Sequence, residues 1–175
     1  MSLDIRYSKN SSSKTSANVV LFVDEKFNIS SIKKHLSSSE FSYLNDLLKT
    51  FDLKKNMFVF EINSKKKIVL IAVKKIYKTS DVENLGAEFY GRIKSEKKSN
   101  FSIITDSLKS NQENFIEHFL HGLKLKSYDF TKYKTKHKKS FISILVLGNK
   151  IPSTKNQLKF KALEEGTFFA RDLVS

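Results

Sequence analysis

The chain has no cysteine, no tryptophan, one proline and five glycines among 175 residues. Without cysteine there is no disulfide, no thiolate zinc site, no iron–sulfur cluster and no cysteine nucleophile, and a reducing intracellular setting fits. Gly86, Gly91, Gly122, Gly148 and Gly166 are too scattered to form a phosphate loop or a dinucleotide-binding fingerprint. Long apolar runs are missing too. The longest, Ile68 to Val73, has six residues, against the ~20 that a membrane span requires. The N-terminus lacks the charged-then-apolar pattern of a signal peptide. These absences lead us to expect a soluble, cytoplasmic protein with no membrane partner.

The length suits one domain, or one domain with an appendage. With 39% hydrophobic residues, 15 of the total being Phe, a chain of this size can bury roughly 70% of its unfolded surface without staples. The formal net charge is +14, which invites a nucleic-acid or acidic-surface partner. Lysine supplies 29 of the 32 cations and arginine only three, Arg6, Arg92 and Arg171, whereas specific phosphate and base recognition favours the guanidinium fork. A composition rich in Lys, Asn, Ser and Ile is what an AT-rich genome produces, and dispersed lysines mostly coat solvated surface.

Leu3 to Tyr7 alternates apolar and polar residues, and the polar stretch from Ser8 to Ser16 is expected to be a mobile loop. Apolar runs of strand length follow at Val19–Val23, Met57–Ile62, Ile68–Val73, Phe101–Ile104 and Phe141–Leu147. The second and third are joined by the polar residues Asn63 to Lys67, a connection suited to an antiparallel hairpin, so the sheet is expected to be mixed. Four Ser/Thr residues stand three before a Glu or Gln, as in capping boxes: Ser37–Glu40, Ser80–Glu83, Ser110–Glu113 and Thr154–Gln157. Behind the first three, apolar residues recur at helical spacing: Phe41, Leu44, Leu48; Val82, Leu85, Phe89, Ile93; and Phe115, Phe119, Leu123. Alternating strands and helices predict an α/β domain, with helices covering a mixed sheet.

The last predicted helix differs. Leu158, Ala162, Gly166, Phe169 and Leu173 form one stripe, while Phe160, Leu163, Phe168 and Val174 put apolar surface on other faces. Such a helix expects neighbours on more than one side. Gly166 in its middle costs about 1 kcal/mol relative to Ala, tolerable where another backbone packs closely. We read this segment as a connector.

Candidates for chemistry are few. Glu117, His118 and His121 share a predicted helix but do not form the zincin pattern, and exposed helix histidines are the expectation. The acidic pairs Asp24-Glu25, Asp81/Glu83 and Glu164-Glu165 are expected at strand ends or on solvated helix surface. No G-x-S-x-G occurs among the serines. From the residues alone no catalytic, metal or cofactor-binding residue is assigned. The densest basic tract, Lys124 to Ser140, interleaves Tyr128, Phe130 and Tyr133. Cations beside aromatic platforms can hold a single strand, which makes Lys134, Lys136, Lys138 and Lys139 candidate nucleic-acid contacts. The preferred reading is a packed strand carrying Tyr128 and Phe130, followed by an exposed lysine loop.

Three segments resemble the N-terminal domain of the leucine aminopeptidase (cytosol aminopeptidase) family. Val82 to Ala87 is similar to its L-x-x-L-G-A/G helix, and Gly122 to Lys134 to its G-x-x-L-x-x-Y-x-F-x-x-Y-K segment. Leu163 to Val174 resembles the helix ending in A-R-D-L-V that precedes the catalytic domain of these enzymes. The resemblance implies a three-layer α/β/α accessory domain over residues 1–150, macro-domain-like with a mixed central sheet, and a linker helix over 151–175 leading to a catalytic domain. It implies a parent enzyme that releases N-terminal amino acids from peptides with two divalent metals, zinc or manganese, assembles as a homohexamer, and in some bacterial relatives binds DNA. None of that machinery carries over, because the family's N-T-D-A-E-G-R-L string is absent here. A non-catalytic domain that positions, assembles or regulates such an enzyme is therefore expected, with a lysine-rich nucleic-acid-binding module as the alternative. The missing glycine-rich loops also weigh against ADP-ribose binding.

Overall fold

The computed structural model describes residues 2–10, 18–75, 77–94, 98–128 and 141–174. In chain order the elements are β1 (Ser2–Ser8), β2 (Asn18–Asp24), a 3-10 turn (Ser30–His35), α1 (Ser38–Thr50), β3 (Met57–Asn63), β4 (Lys66–Val73), α2 (Thr79–Ile93), β5 (Lys98–Ile104), α3 (Phe115–Ser127), β6 (Phe141–Leu147) and α4 (Thr154–Val174). The strands form one six-stranded sheet in the order β1-β6-β5-β2-β4-β3. Every pairing is parallel except β3 with β4. The sheet is mixed, as the hairpin signal implied, and helices cover both faces in a three-layer α/β/α arrangement.

Strand β2 shows why the apolar runs are continuous rather than alternating. Successive side chains point to opposite faces, and here both faces are covered. Val20 and Phe22 enter a core with α2 and α3, while Leu21 and Val23 enter a second core with α1 and the 3-10 turn. The first core extends across β5 and β6 through Phe101, Ile103, Ile142, Ile144 and Val146. Leu3, Ile5 and Tyr7 pack against its margin, so the opening alternation is an edge strand.

Several expectations need correction. The β3–β4 connection is two residues, Ser64 and Lys65, because both strands extend into the polar segment. Asn63 Oδ1 accepts from the Lys65 amide at 2.8 Å to close the turn. Of the four capping pairs only the first is formed as expected: Ser37 Oγ accepts from the Glu40 amide at 3.2 Å, and Glu40 Oε2 from the Ser37 amide at 3.0 Å. Helix α2 starts at Thr79, with the Lys78 amide donating to Asp81 Oδ2 at 3.4 Å, so Ser80 lies inside the first turn. Helix α3 starts after Asn114, whose φ of 57° is left-handed, leaving Ser110 and Glu113 in the preceding loop. At α4 the oxygen that accepts from the Asn156 amide belongs to Ser153, one residue before Thr154. A helix begins where the chain leaves its loop, and in a serine-rich sequence the i, i+3 pattern recurs by chance.

Helices α2 and α3 touch backbone to backbone. A Cβ placed on Gly86 would lie 1.9 Å from the Phe119 carbonyl oxygen, and one on Gly122 would lie 1.9 Å from that of Glu83. Only glycine lets the axes approach this closely, and the approach seats Val82, Leu85, Phe89, Phe119 and Leu123 in the first core. Gly86→Ala and Gly122→Ala are each expected to lower stability by about 3 kcal/mol, because neither backbone can yield without parting the helices. Gly91→Ala, where the added Cβ meets nothing within 4 Å, is the control. Urea denaturation followed by circular dichroism checks all three.

Candidate functional site

Helix α4 lies against α3, and its docking is unusually polar. At its start, Asn156 Nδ2 donates to Asn114 Oδ1 at 3.2 Å and to Glu117 Oε1 at 3.1 Å. One turn on, Phe160 is buried, meeting the rings of His118 and His121 edge to face at centroid distances of 5.1 and 5.4 Å. Glu164, only 6% exposed, pairs with Lys124 Nζ at 3.1 Å and lies 3.6 Å from His121 Nδ1. That second separation is within ion-pair range but too long for a hydrogen bond, and His121 Nδ1 has no hydrogen-bond partner.

The far end of α4 is fixed by the residues of its A-R-D-L-V string. Arg171 Nη1 donates to the Leu125 carbonyl at 2.8 Å, supplying a cation to the carboxyl end of α3. The Arg171 guanidinium also sits 5.4 Å from the centre of the Tyr128 ring. Tyr128 stacks on Phe168 with centroids 5.0 Å apart, and its hydroxyl donates to Asp172. That hydrogen bond, then desolvation, pushes the Tyr128 hydroxyl up to about 12. Tyr7 on β1 reaches the same region. Burial first, then the carboxylates Glu164 and Glu117, push its hydroxyl up to about 12.

A helix turns by roughly 100° per residue, so Phe160, Glu164, Thr167 and Arg171 share one side while Leu158, Ala162, Phe169 and Leu173 fall on the opposite one. The second group is bare: Leu158 is 64% exposed, Phe169 66% and Leu173 70%. Ala162 and Gly166 between them are exposed as well. A Cβ on Gly166 would meet no atom within 4 Å, so the close neighbour expected there is not supplied by the described residues. The side packed on α3 carries Glu164 and Arg171 beside Phe160, and the open side carries Leu158, Phe169 and Leu173 among the exposed charges of Lys155, Lys159 and Glu165.

Three expectations change here. Glu164 was placed on solvated helix surface but is buried, and His118 and His121 flank Phe160 instead of facing solvent, because α4 covers a part of α3 that helical periodicity alone leaves open. Tyr128 closes α3 and is not on a strand. Among the described residues no group of three or more His, Asp or Glu converges closely enough to hold a metal ion. Lys134, Lys136, Lys138 and Lys139, with Phe130 and Tyr133, lie outside the described residues, as do residues 11–16 of the expected loop. Of the basic tract's opening, Lys124 is engaged by Glu164.

The second of the three segments that carry the family resemblance touches both others: Gly122 lies against Glu83, and Tyr128 against Phe168, Arg171 and Asp172. No protein-family model matches the chain, and no curated protein matches it by sequence. Solved structures do match by shape. A tomato leucine aminopeptidase mutant aligns over 98% of this chain and 38% of its own, with a TM-score of 0.69 and 16% identity. A cytosol aminopeptidase from Coxiella burnetii aligns over 97% and 33%, with a TM-score of 0.59 and 13% identity. The bottromycin maturation enzyme BotP, in complex with Mn, aligns over 91% and 32%, with a TM-score of 0.60 and 11% identity. The chain therefore has a fold found in leucine aminopeptidases and spans about a third of the length of these structures.

The raised Tyr7 hydroxyl gives a pH test. Its proton is held more tightly folded than unfolded, so its contribution to stability is intact below pH 10 and is lost as pH rises from 10 through about 12. Denaturant midpoints are expected to fall over that window in the wild type and to fall less steeply in Tyr7→Phe.

Proposed function

We propose that the chain is the non-catalytic N-terminal domain, macro-domain-like in architecture, of a cytoplasmic leucyl aminopeptidase, a two-metal hydrolase that releases N-terminal amino acids from peptides. It positions or helps to assemble the catalytic part. The observation that carries this reading is the bare stripe Leu158, Ala162, Phe169 and Leu173, on a helix whose other side is locked to α3 by residues of the A-R-D-L-V string. An apolar stripe left open opposite a packed side is a contact surface, and its place in a fold that occupies about a third of the matching aminopeptidases gives it a partner, the enzyme's own catalytic domain. In this reading residues 1–150 form the accessory body and residues 151–175 the connector, and the homohexamer is built mainly by the catalytic domains.

The metal chemistry belongs to that partner. When bound, two zinc or manganese ions would activate a water for attack on the first peptide bond. Among the described residues the donors do not fit such a centre: His121 and Glu164 face each other in the α3–α4 seam with Lys124 paired to Glu164, and His118 lies 3.4 Å from Glu83 on α2. What these residues do is hold α4 in a fixed orientation.

Two results test the proposal. The chain alone is expected to leave leucine p-nitroanilide intact with or without added manganese, and turnover by pure material would overturn the non-catalytic assignment. Phe169→Glu with Leu173→Glu is expected to abolish association with the separately produced catalytic domain while changing this domain's own stability by less than about 0.5 kcal/mol, as exposed positions do. Unimpaired association would show that the stripe is not the contact.

A further inference from the structure

At the end of the sheet where the parallel strands finish, the connection after β2 leaves toward α1 and the one after β4 leaves toward α2, on opposite faces. Neighbouring strands whose connections part in this way open a crevice between them, the place where open α/β sheets bind ligands. The crevice here encloses about 1070 Å³, ample for a small molecule. Three connections wall it: Asp24 at the end of β2 and Ser31 in the 3-10 turn that follows, Lys74, Lys75 and Tyr77 after β4, and Lys109 after β5.

Three lysines and one carboxylate, Asp24, line the crevice, and Asp81, Glu25 and Glu88 stand near enough to Tyr77 to act on its hydroxyl. Asp24 Oδ1 accepts from the amides of Lys26 at 3.0 Å and Asn28 at 2.9 Å, which shapes its own loop. The same loop carries Phe27 at φ 56°, a left-handed backbone that is costly for a bulky side chain, with the ring buried 4.9 Å from that of Phe58. Strain of this kind persists only where the surroundings over-determine it. Tyr77, half-buried, is held in place by its hydroxyl, which donates to the Ala72 carbonyl at 3.2 Å, and by its ring, 6.2 Å from that of Phe115. Ser107 Oγ, also in the lining, is used within the fold, accepting from the Phe22 amide at 2.9 Å and donating to the Ile104 carbonyl at 2.6 Å.

We propose that this crevice binds a mononucleotide, its phosphate met by Lys74, Lys75 and Lys109 and its base laid on Tyr77. None of the three loops contains glycine, so there is no backbone cradle for a diphosphate, and a single phosphate held by side-chain cations is what the walls can take. The proposal does not depend on the aminopeptidase parentage.

Calorimetric titration of the chain with AMP and with inorganic phosphate, at fixed ionic strength, tests it. AMP is expected to bind at one site and more tightly than phosphate. The triple variant Lys74→Gln, Lys75→Gln, Lys109→Gln should weaken AMP by about ten-fold or more. A control triple at the other end of the sheet, Lys65→Gln, Lys94→Gln, Lys98→Gln, removes the same charge and should weaken it by less than about two-fold. Absence of AMP binding up to millimolar concentration, equal losses in the two triples, or phosphate binding as tight as AMP would each overturn the assignment.

Discussion

Where α2 crosses α3, two glycines remove the side chains that would hold the helices apart, and the rest of that layer follows. Gly86 and Gly122 each face the other helix's main chain, and on the sheet side of α3 Phe115 and Phe119 meet Phe22 edge to face at centroid distances of 5.8 and 5.6 Å. Aromatic pairs of that geometry add to the burial of their area. Because the inner face of α3 is taken up by α2 and the sheet, its outer face, with His118, His121 and Lys124, is what remains for α4 to lie on. The glycine crossing thus sets the platform, and the platform sets the orientation of the last helix.

That last helix departs in part from the usual amphipathic arrangement: its packed side buries Glu164 beside Phe160, and its open side keeps large apolar residues among exposed charges. A surface helix ordinarily turns its apolar stripe to the core and its charges to water. Here Glu164 is buried against Lys124 and His121, Arg171 donates to a carbonyl at the end of α3, and leucines and phenylalanine face outward. Burying an ion pair is weak evidence for stability, since desolvation offsets much of the attraction. It is a good way to fix a rotation, because turning α4 about its axis would leave Glu164 and Arg171 unpartnered. Helix orientation is the property a connector between two bodies must have.

Much of this was legible in the sequence, and the remainder was not for identifiable reasons. The strand runs, the hairpin and the apolar spacing of α1 to α3 come from local periodicity, which burial on one or both faces imposes directly. The residues of the α4 stripe came from the same periodicity, which did not tell which side of the helix is packed. The burial of Glu164 and His121 was not legible, since it depends on two helices separated by 26 residues meeting with a particular rotation. The capping signals failed at α2, α3 and α4, where loop geometry rather than the nearest serine decided the first helical residue. The crevice at the ends of β2, β4 and β5 left no motif at all, because its walls are assembled from three separate loops.

The central claim, that α4 docks by the side carrying Phe160 and Glu164 and presents Leu158, Phe169 and Leu173, is tested most directly by hydroxyl-radical footprinting of the dilute chain, read residue by residue along this helix. The account predicts heavy oxidation at Leu158, Phe169 and Leu173, with Phe160 protected to the level of core residues such as Phe119. Protection of Phe169 and Leu173 together with oxidation of Phe160 would mean that the helix is turned the other way, and the account would be wrong.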